Sequence, residues 1–172
     1  MKLWSEVEYV NSAGKTVCAE RAVRAKVSEM TEKINRQVLS RGTKAVNALR
    51  SAELRVLKGQ RSGRKYRKPY TGSKTSEERK KSGYKPPMYV ASAPGEAPAR
   101  RTGNLRMHWN GQVKTGRAAK GRIQVTAELE SQEKYAEMLE NGTSKMAARP
   151  FVEKIKEEAV PEIEKIYSGP YT

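Results

Sequence analysis

Side chains able to do chemistry are few in this chain, and they do not cluster. His108 is the only histidine, Cys18 the only cysteine, and every acidic residue is a glutamate. A catalytic histidine needs a nucleophile or an orienting carboxylate within hydrogen-bond reach, and the run Leu105-Arg106-Met107-His108-Trp109 offers neither close by. One histidine, one cysteine and no aspartate are too few for a metal site. A lone cysteine also excludes an internal disulfide, and Cys18 reads as a small buried apolar residue. Glu157 and Glu158, like Glu162 and Glu164, sit among lysines and read as a solvated helix face. Gly-rich phosphate loops are absent. The expectation is a protein that is not an enzyme, with no catalytic residue, metal or cofactor.

What the chain has in quantity is positive charge, and it is unevenly spread. The net charge is +16. Residues 1–57 hold 11 Lys/Arg against 6 Glu, residues 58–122 hold 18 against 3, and residues 123–172 hold 6 against 10. Such asymmetry points to an acidic or polyanionic partner and says nothing about fold. The densest part is Arg61, Arg64, Lys65, Arg67 and Lys68, interleaved with Tyr66, Tyr70, Tyr84 and Tyr89, and Arg117 and Lys120 add a second basic turn. These residues could neutralise phosphates while tyrosines stack, clamp acidic surfaces of neighbouring subunits, or simply be solvated. No nucleic-acid module is present, so any nucleic-acid contact is expected to be nonspecific. The choice between DNA and protein stays open on sequence alone.

The elements that must position these residues follow from periodicity. At 172 residues the chain suits a single domain (1–172) with a lean core. No apolar run approaches the ~20 residues of a membrane span, and no signal-peptide pattern is seen, so the product is expected to be cytosolic when made. Residues 1–17 read as a short strand or extended arm, with Leu3, Val7 and Tyr9 before the turn cluster Asn11 to Gly14. Residues 19–57 read as a long helix. Val23, Val27, Met30, Ile34 and Val38 form one apolar stripe, Ala45, Leu49, Ala52 and Val56 another, and Gly42 marks an expected kink or break between them. Both stripes read as core, covering a sheet. Residues 58–101 form a basic extended insertion too polar to bury much surface. Residues 102–130 read as a β-hairpin region, because Ile123, Val125 and Ala127 alternate with Gln124, Thr126 and Glu128. Its tip is expected at Gly116 to Gly121. Thr102 is placed to cap a short helical turn carrying Leu105 and Trp109.

Residues 133–167 read as helix, turn, helix. Tyr135, Met138 and Leu139 share a helical face, Asn141-Gly142 can end that helix, and Pro150 can open the next. Val152, Ile155, Ala159, Ile163 and Ile166 set the last helix's face, with Pro161 an expected kink. The wording here is Tyr135-Ala136-Glu137-Met138-Leu139-Glu140-Asn141-Gly142-Thr143, a spacer, then Ala147-Ala148-Arg149-Pro150-Phe151. Upstream stands Pro98-Ala99-Arg100-Arg101-Thr102-Gly103-Asn104-Leu105-Arg106. Together these resemble the signatures of the tail-completion, or head–tail joining (neck), proteins of long-tailed phages, and they span roughly residues 98–152.

The resemblance implies an α+β subunit in which a long N-terminal helix and a C-terminal helix pack on a small antiparallel β-sheet. It implies a homo-oligomeric ring, typically hexameric, in the virion neck, touching other neck proteins and the tail tube protein and surrounding the DNA channel. Tail terminator and head-closing stopper both remain open. By motif, Thr102, Gly103 and Leu105 would start the sheet. Tyr135, Leu139 and Gly142, with Thr143, would shape the turn against which Arg149, Pro150 and Phe151 pack. Glu140 and Arg149 would pair within or between subunits. The arm at residues 1–17 and the basic insertion are departures from the family pattern. The rival expectation is a monomeric, nonspecific nucleic-acid-binding protein.

Overall fold

Forty residues of this chain lie in one helix, and it arranges everything else. The computed structural model describes residues 8–10, 16–68, 70, 72–117 and 123–171, with backbone alone for 8–10, 16–20 and 117. β1 (Glu8–Val10) and β2 (Thr16–Cys18) pair antiparallel and lead into α1 (Ala19–Lys58). The insertion contains β3 (Lys65–Arg67), α2 (Ser76–Lys81) and β4 (Met88–Val90). Then come α3 (Asn104–Met107), β5 (Trp109–Arg117), β6 (Ile123–Ser131), α4 (Ala136–Asn141) and α5 (Val152–Ser168). The architecture is the expected mix of a long N-terminal helix, a C-terminal helix and antiparallel strands. The strands form three separate two-stranded ribbons in place of one sheet.

The β5–β6 ribbon pairs Trp109 with Ser131 through to Arg117 with Ile123. Its period of two puts Gly111, Val113, Val125, Ala127 and Leu129 on one face, and that face meets α1. The contact is close because glycines make it so. A Cβ at Gly42 would stand 2.6 Å from a Val125 methyl and 3.0 Å from one of Val113, while a Cβ at Gly111 would stand 2.5 Å from a Val46 methyl. Each element therefore offers a glycine hollow to a valine of the other. α1 runs unbroken through Gly42, so the expected break is absent: the glycine serves packing against the hairpin.

On its other side the second half of α1 meets α5 through small residues. Ala45, Ala48, Ala52 and Ala159 are buried, and Leu57, Phe151 and Ile155 complete the core with Leu49, Trp109 and Leu139 packed around it. Arg55 ties the two helices at the surface, 2.8 Å from Glu158. Arg41 holds the far end of α5, donating to the Pro170 carbonyl at 2.6 Å and lying 3.9 Å over the Tyr171 ring. α5 continues past Pro161 to Ser168.

Two expectations are corrected. The stripe Val23, Val27, Met30 and Ile34 is not core, since these side chains are 62, 56, 55 and 40% exposed. Only the half of α1 beyond about Val38 covers the hairpin. Met138 also points outward at 56% exposure, leaving Leu139 to carry the inner face of α4. The expected turn tip at 116–121 lies, beyond Gly116 and the backbone of Arg117, outside the described residues, as do residues 1–7, Lys120 and the Cys18 side chain.

Within the core sits a carboxylate that sequence does not reveal. Glu53 is fully buried, 2.5 Å from an Arg50 guanidinium nitrogen through one oxygen, while its other oxygen has no protein partner. Burial pushes its pKa up to about 7, against the pull of Arg50 and Arg106. A folded pKa above the unfolded value means that the folded state binds the proton more tightly between pH 4.5 and about 7. Stability should therefore fall as pH rises through that window, by on the order of 2 kcal/mol. Urea unfolding at pH 5 and pH 8 checks this, and Glu53→Gln should flatten the slope. Gly42→Ala sets a helix-propensity gain of about 1 kcal/mol against overpacking of two valines, which costs about 1–3 kcal/mol. The clash should win. Thermal unfolding should show a lowered midpoint, and adding Val125→Ala should recover it.

Candidate functional site

The segment from Tyr135 to Phe151 is a clasp, and its local chemistry explains its shape. α4 ends at Gly142, whose φ of +76° and ψ of −178° suit only glycine. A Cβ there would stand 2.7 Å from the Ala148 nitrogen and 2.8 Å from the Met146 oxygen. Thr143 and Met146 then exchange backbone hydrogen bonds of 2.8 and 3.1 Å, closing a tight turn, and the Arg149 N–H returns to the Leu139 carbonyl at 2.8 Å. α5 starts two residues later than Pro150, with no cap from its own N-cap side chain. Glu140 supplies the cap: one of its oxygens accepts from the N–H groups of Phe151 at 2.8 Å and Val152 at 3.2 Å. A carboxylate there also suits the positive end of the helix dipole.

This geometry separates the expected Glu140–Arg149 pair. Glu140 is occupied by α5, and the Arg149 guanidinium donates to the carbonyl and hydroxyl of buried Ser92. No salt bridge among the described residues joins the two. Phe151 is almost wholly buried and meets Trp109 edge to face, ring centroids 6.1 Å apart. The Trp109 indole in turn donates to the Leu105 carbonyl. The clasp thus reaches the upstream motif through two aromatic rings.

Both motifs line one cavity of about 540 Å³, mostly apolar, bounded by Leu57, Tyr89, Leu105, Tyr135, Leu139 and Arg149, with residues 98–104 as a further wall. Thr102 and Gly103 are on that wall. Gly103, at a φ of +104°, is the N-cap of α3, and the Thr102 hydroxyl accepts from the Asn104 N–H at 3.4 Å. They precede the hairpin, which begins only at Trp109, so they do not start the sheet. Trp109 likewise belongs to the strand and not to the helical turn. The hydroxyl of Tyr135 is raised above its ordinary pKa by burial and then by the neighbouring Glu133 carboxylate.

His108 gains the carboxylate partner that its sequence neighbours lack: its Nδ1 contacts Glu133, 25 residues away. The ring is exposed and stands outside the lining of the cavity. A triad also needs a nucleophile beside the other ring nitrogen, and the contacts among the described residues provide none.

The basic candidates divide. Arg61 is structural, donating to the Val56 carbonyl at 2.8 Å and to Pro98 at 3.2 Å, so it closes the end of α1 over the returning insertion. Burial lowers its pKa, against the nearby Glu96. Arg64, Lys65 and Arg67 are exposed and Lys68 is half-buried, on the β3–β4 ribbon where Tyr66 faces Tyr89 at 6.0 Å. Arg117 has a described backbone only, and Lys120 lies outside the described residues.

The insertion has local order that composition conceals. Thr75 and Glu78 form a reciprocal capping box on α2, a signal legible as Thr75-Ser76-Glu77-Glu78. Its base is fastened by Glu96, which accepts from the Ser62 hydroxyl at 2.6 Å and the Ala93 N–H at 2.9 Å. Those hydrogen bonds, the Ser62 hydroxyl first, hold the carboxyl down to a pKa of about 2.

Another groove, of about 480 Å³, opens beside the clasp. Leu49, Leu129, Ala136 and Val152 line it, with Glu130 and Glu137 at its rim. No protein-family model, curated protein or solved structure matches the chain.

The clasp makes a direct forecast. Gly142→Ala forces a side chain into a glycine-only conformation against backbone atoms, and should cost roughly 3 kcal/mol. Thr143→Ala, on the exposed turn, removes only a 3.3 Å bond from the Lys145 N–H and should cost about 0.5 kcal/mol. Chemical denaturation of the two variants side by side measures the difference.

Proposed function

We propose that the chain is a structural subunit of the neck of a long-tailed phage, of the tail-completion or head–tail joining kind. It assembles in the host cytoplasm as a ring, hexameric by the family's habit, and ends in the virion between head and tail, where it surrounds the DNA channel. It works by packing and not by catalysis. One observation carries this reading beyond the wording of the motifs: the segments 98–106 and 135–151 form a single packed unit around one cavity, linked by Trp109 and Phe151. Two stretches that resemble the same family thus act as one structural device in this chain.

The exposed ribbon bearing Arg64, Lys65 and Arg67 favours a second reading, nonspecific contact with nucleic acid. In the neck these residues would face passing DNA or an acidic neighbour; in a free protein they would grip a duplex.

The mass of the purified protein at low and moderate salt, alone and with tail tubes, separates the readings. A discrete ring, alone or formed on tail tubes, is the expected result. A strict monomer that ignores tail tubes and binds duplex DNA overturns it. In that case replacing Arg64, Lys65 and Arg67 with serine should flatten the salt dependence, the logarithmic slope dropping by about 0.9 for each phosphate no longer neutralised.

A further inference from the structure

The unexplained feature of the fold is the first half of α1. Val23, Val27, Met30 and Ile34 recur every three to four residues and remain largely exposed. They make an apolar stripe on a helix that projects beyond the hairpin and α5. The 3.6-residue period puts Lys26 and Lys33 along one flank of the stripe and Arg24 along the other, with Glu29 and Glu32 further round. Lys26 lies 2.9 Å from Glu29 on the exposed surface. The stripe is therefore apolar with basic edges.

The groove beside the clasp is its complement. Leu129, Ala136 and Val152 give it an apolar floor, Val152 being 40% exposed, and Glu130 and Glu137 stand at its rim. Lys156, also on the lining, lies 3.0 Å from Glu153. Glu140, though on the lining, is taken up in capping α5.

We infer that the projecting half of α1 from one copy of this chain docks in the Leu129–Ala136–Val152 groove of the next copy. A chain cannot fill its own groove. Leu49 forms part of the groove wall and belongs to the same unbroken helix as Val27, about 33 Å further along at about 1.5 Å per residue. Antiparallel pairing between two projecting helices is disfavoured, because Lys26 and Lys33 flank the stripe in every copy and would face each other. Helix-to-groove contact brings ammonium groups to carboxylates and covers apolar surface on both sides. Such a contact is head-to-tail. It leaves one helix and one groove unused at the ends, so it extends, to a ring where the rotation closes and to a filament where it does not.

The inference specifies how the ring proposed above is joined, and rests on that reading only for the closed shape. Its test needs no ring. In a Cys18→Ser background, chains carrying Met30→Cys and chains carrying Glu137→Cys, differently tagged, are mixed and oxidised. The disulfide between the two tags should exceed by at least ~10-fold that formed when Ser28→Cys, on the opposite face of the helix, replaces Met30→Cys. Equal yields, or a dominant Met30→Cys homodimer, overturn the docking.

A second measurement uses exposed positions that leave the core untouched. Val27→Glu with Met30→Glu should abolish assembly, and so should Val152→Glu, which sets a carboxylate in the groove that a Glu-bearing helix cannot complement. Mixed, the two variants should give a one-to-one dimer that grows no further, since only one helix and one groove remain intact. Assembly by the helix variant alone also overturns the docking while leaving the ring reading standing. Cross-linking without any ring sinks the ring reading and leaves the docking.

Discussion

The close approach of α1 to the β5–β6 hairpin is the constraint on which the rest depends. A glycine inside a helix costs about 1 kcal/mol relative to alanine, yet α1 keeps Gly42 where the hairpin crosses it. The Val113 and Val125 methyls fill the hollow, and Gly111 receives Val46 in return. That seat fixes which half of α1 becomes core. Beyond Gly42 the helix has the hairpin on one side and α5 on the other, and Ala48, Ala52 and Ala159 let the two helices close up. Before it the helix has outrun the hairpin and α5. Arg41 stands at the boundary and binds the last turn of α5 and the chain beyond it, so both helices end their contact at the same level.

The clasp depends on that seat in turn. Phe151 can enter the core only because Trp109, at the first ladder pair of the hairpin, is held against α1 and can take the ring edge to face. Once Phe151 is placed, the start of α5 is placed as well, and its first orphan N–H groups, those of Phe151 and Val152, require an acceptor. Glu140 meets that need from the preceding helix. The short connection between α4 and α5 is therefore specified at both ends, by a glycine that permits the turn and a carboxylate that receives the returning chain.

Periodicity makes the elements legible and leaves their surroundings unread. The alternation from Ile123 to Glu128 locates β6, and the spacing of Ile155, Ala159 and Ile163 locates the inner face of α5. The stripes Val23–Ile34 and Ala45–Val56 look alike in sequence, however, because the pattern records which residues share a face and not what lies opposite. Only tertiary placement separates them. The same limit hides the long-range partners. Ser92 and Arg149 are 57 residues apart, and Glu133 stands 25 residues from His108, so neither pairing leaves a trace in local spacing. Glu140 is legible as a turn residue but not as a cap, since opposite charges near each other in sequence invite pairing with Arg149. The unfilled N-terminus of a helix is the stronger claim on a carboxylate held this close to it. Glu53 is unreadable for a related reason: it continues an ordinary run of charged helix positions, and only the packing around it shows it buried.

The charge of the insertion is left unspent by the fold. Its carboxylates are few, and Glu78 and Glu96 are occupied with backbone N–H groups and the Ser62 hydroxyl. Its inward-facing cation, Arg61, is satisfied by carbonyls, and Arg149 reaches into the insertion for Ser92 and not for an acid. Among the described residues no salt bridge involves residues 58–101, while the acidic C-terminal third uses Glu158 on Arg55 and Glu128 on Lys114. The insertion is thus fastened by bonds that join no cation to a carboxylate: Arg61 and Arg149 go to carbonyls and a hydroxyl, and Glu78 and Glu96 take N–H and hydroxyl groups. Screening confines the insertion's field to about 8 Å at physiological salt, so its positive surface acts on whatever lies directly against it. A chain fastened this way leaves the charge of its basic ribbon uncancelled and pins the base of that ribbon to its own core.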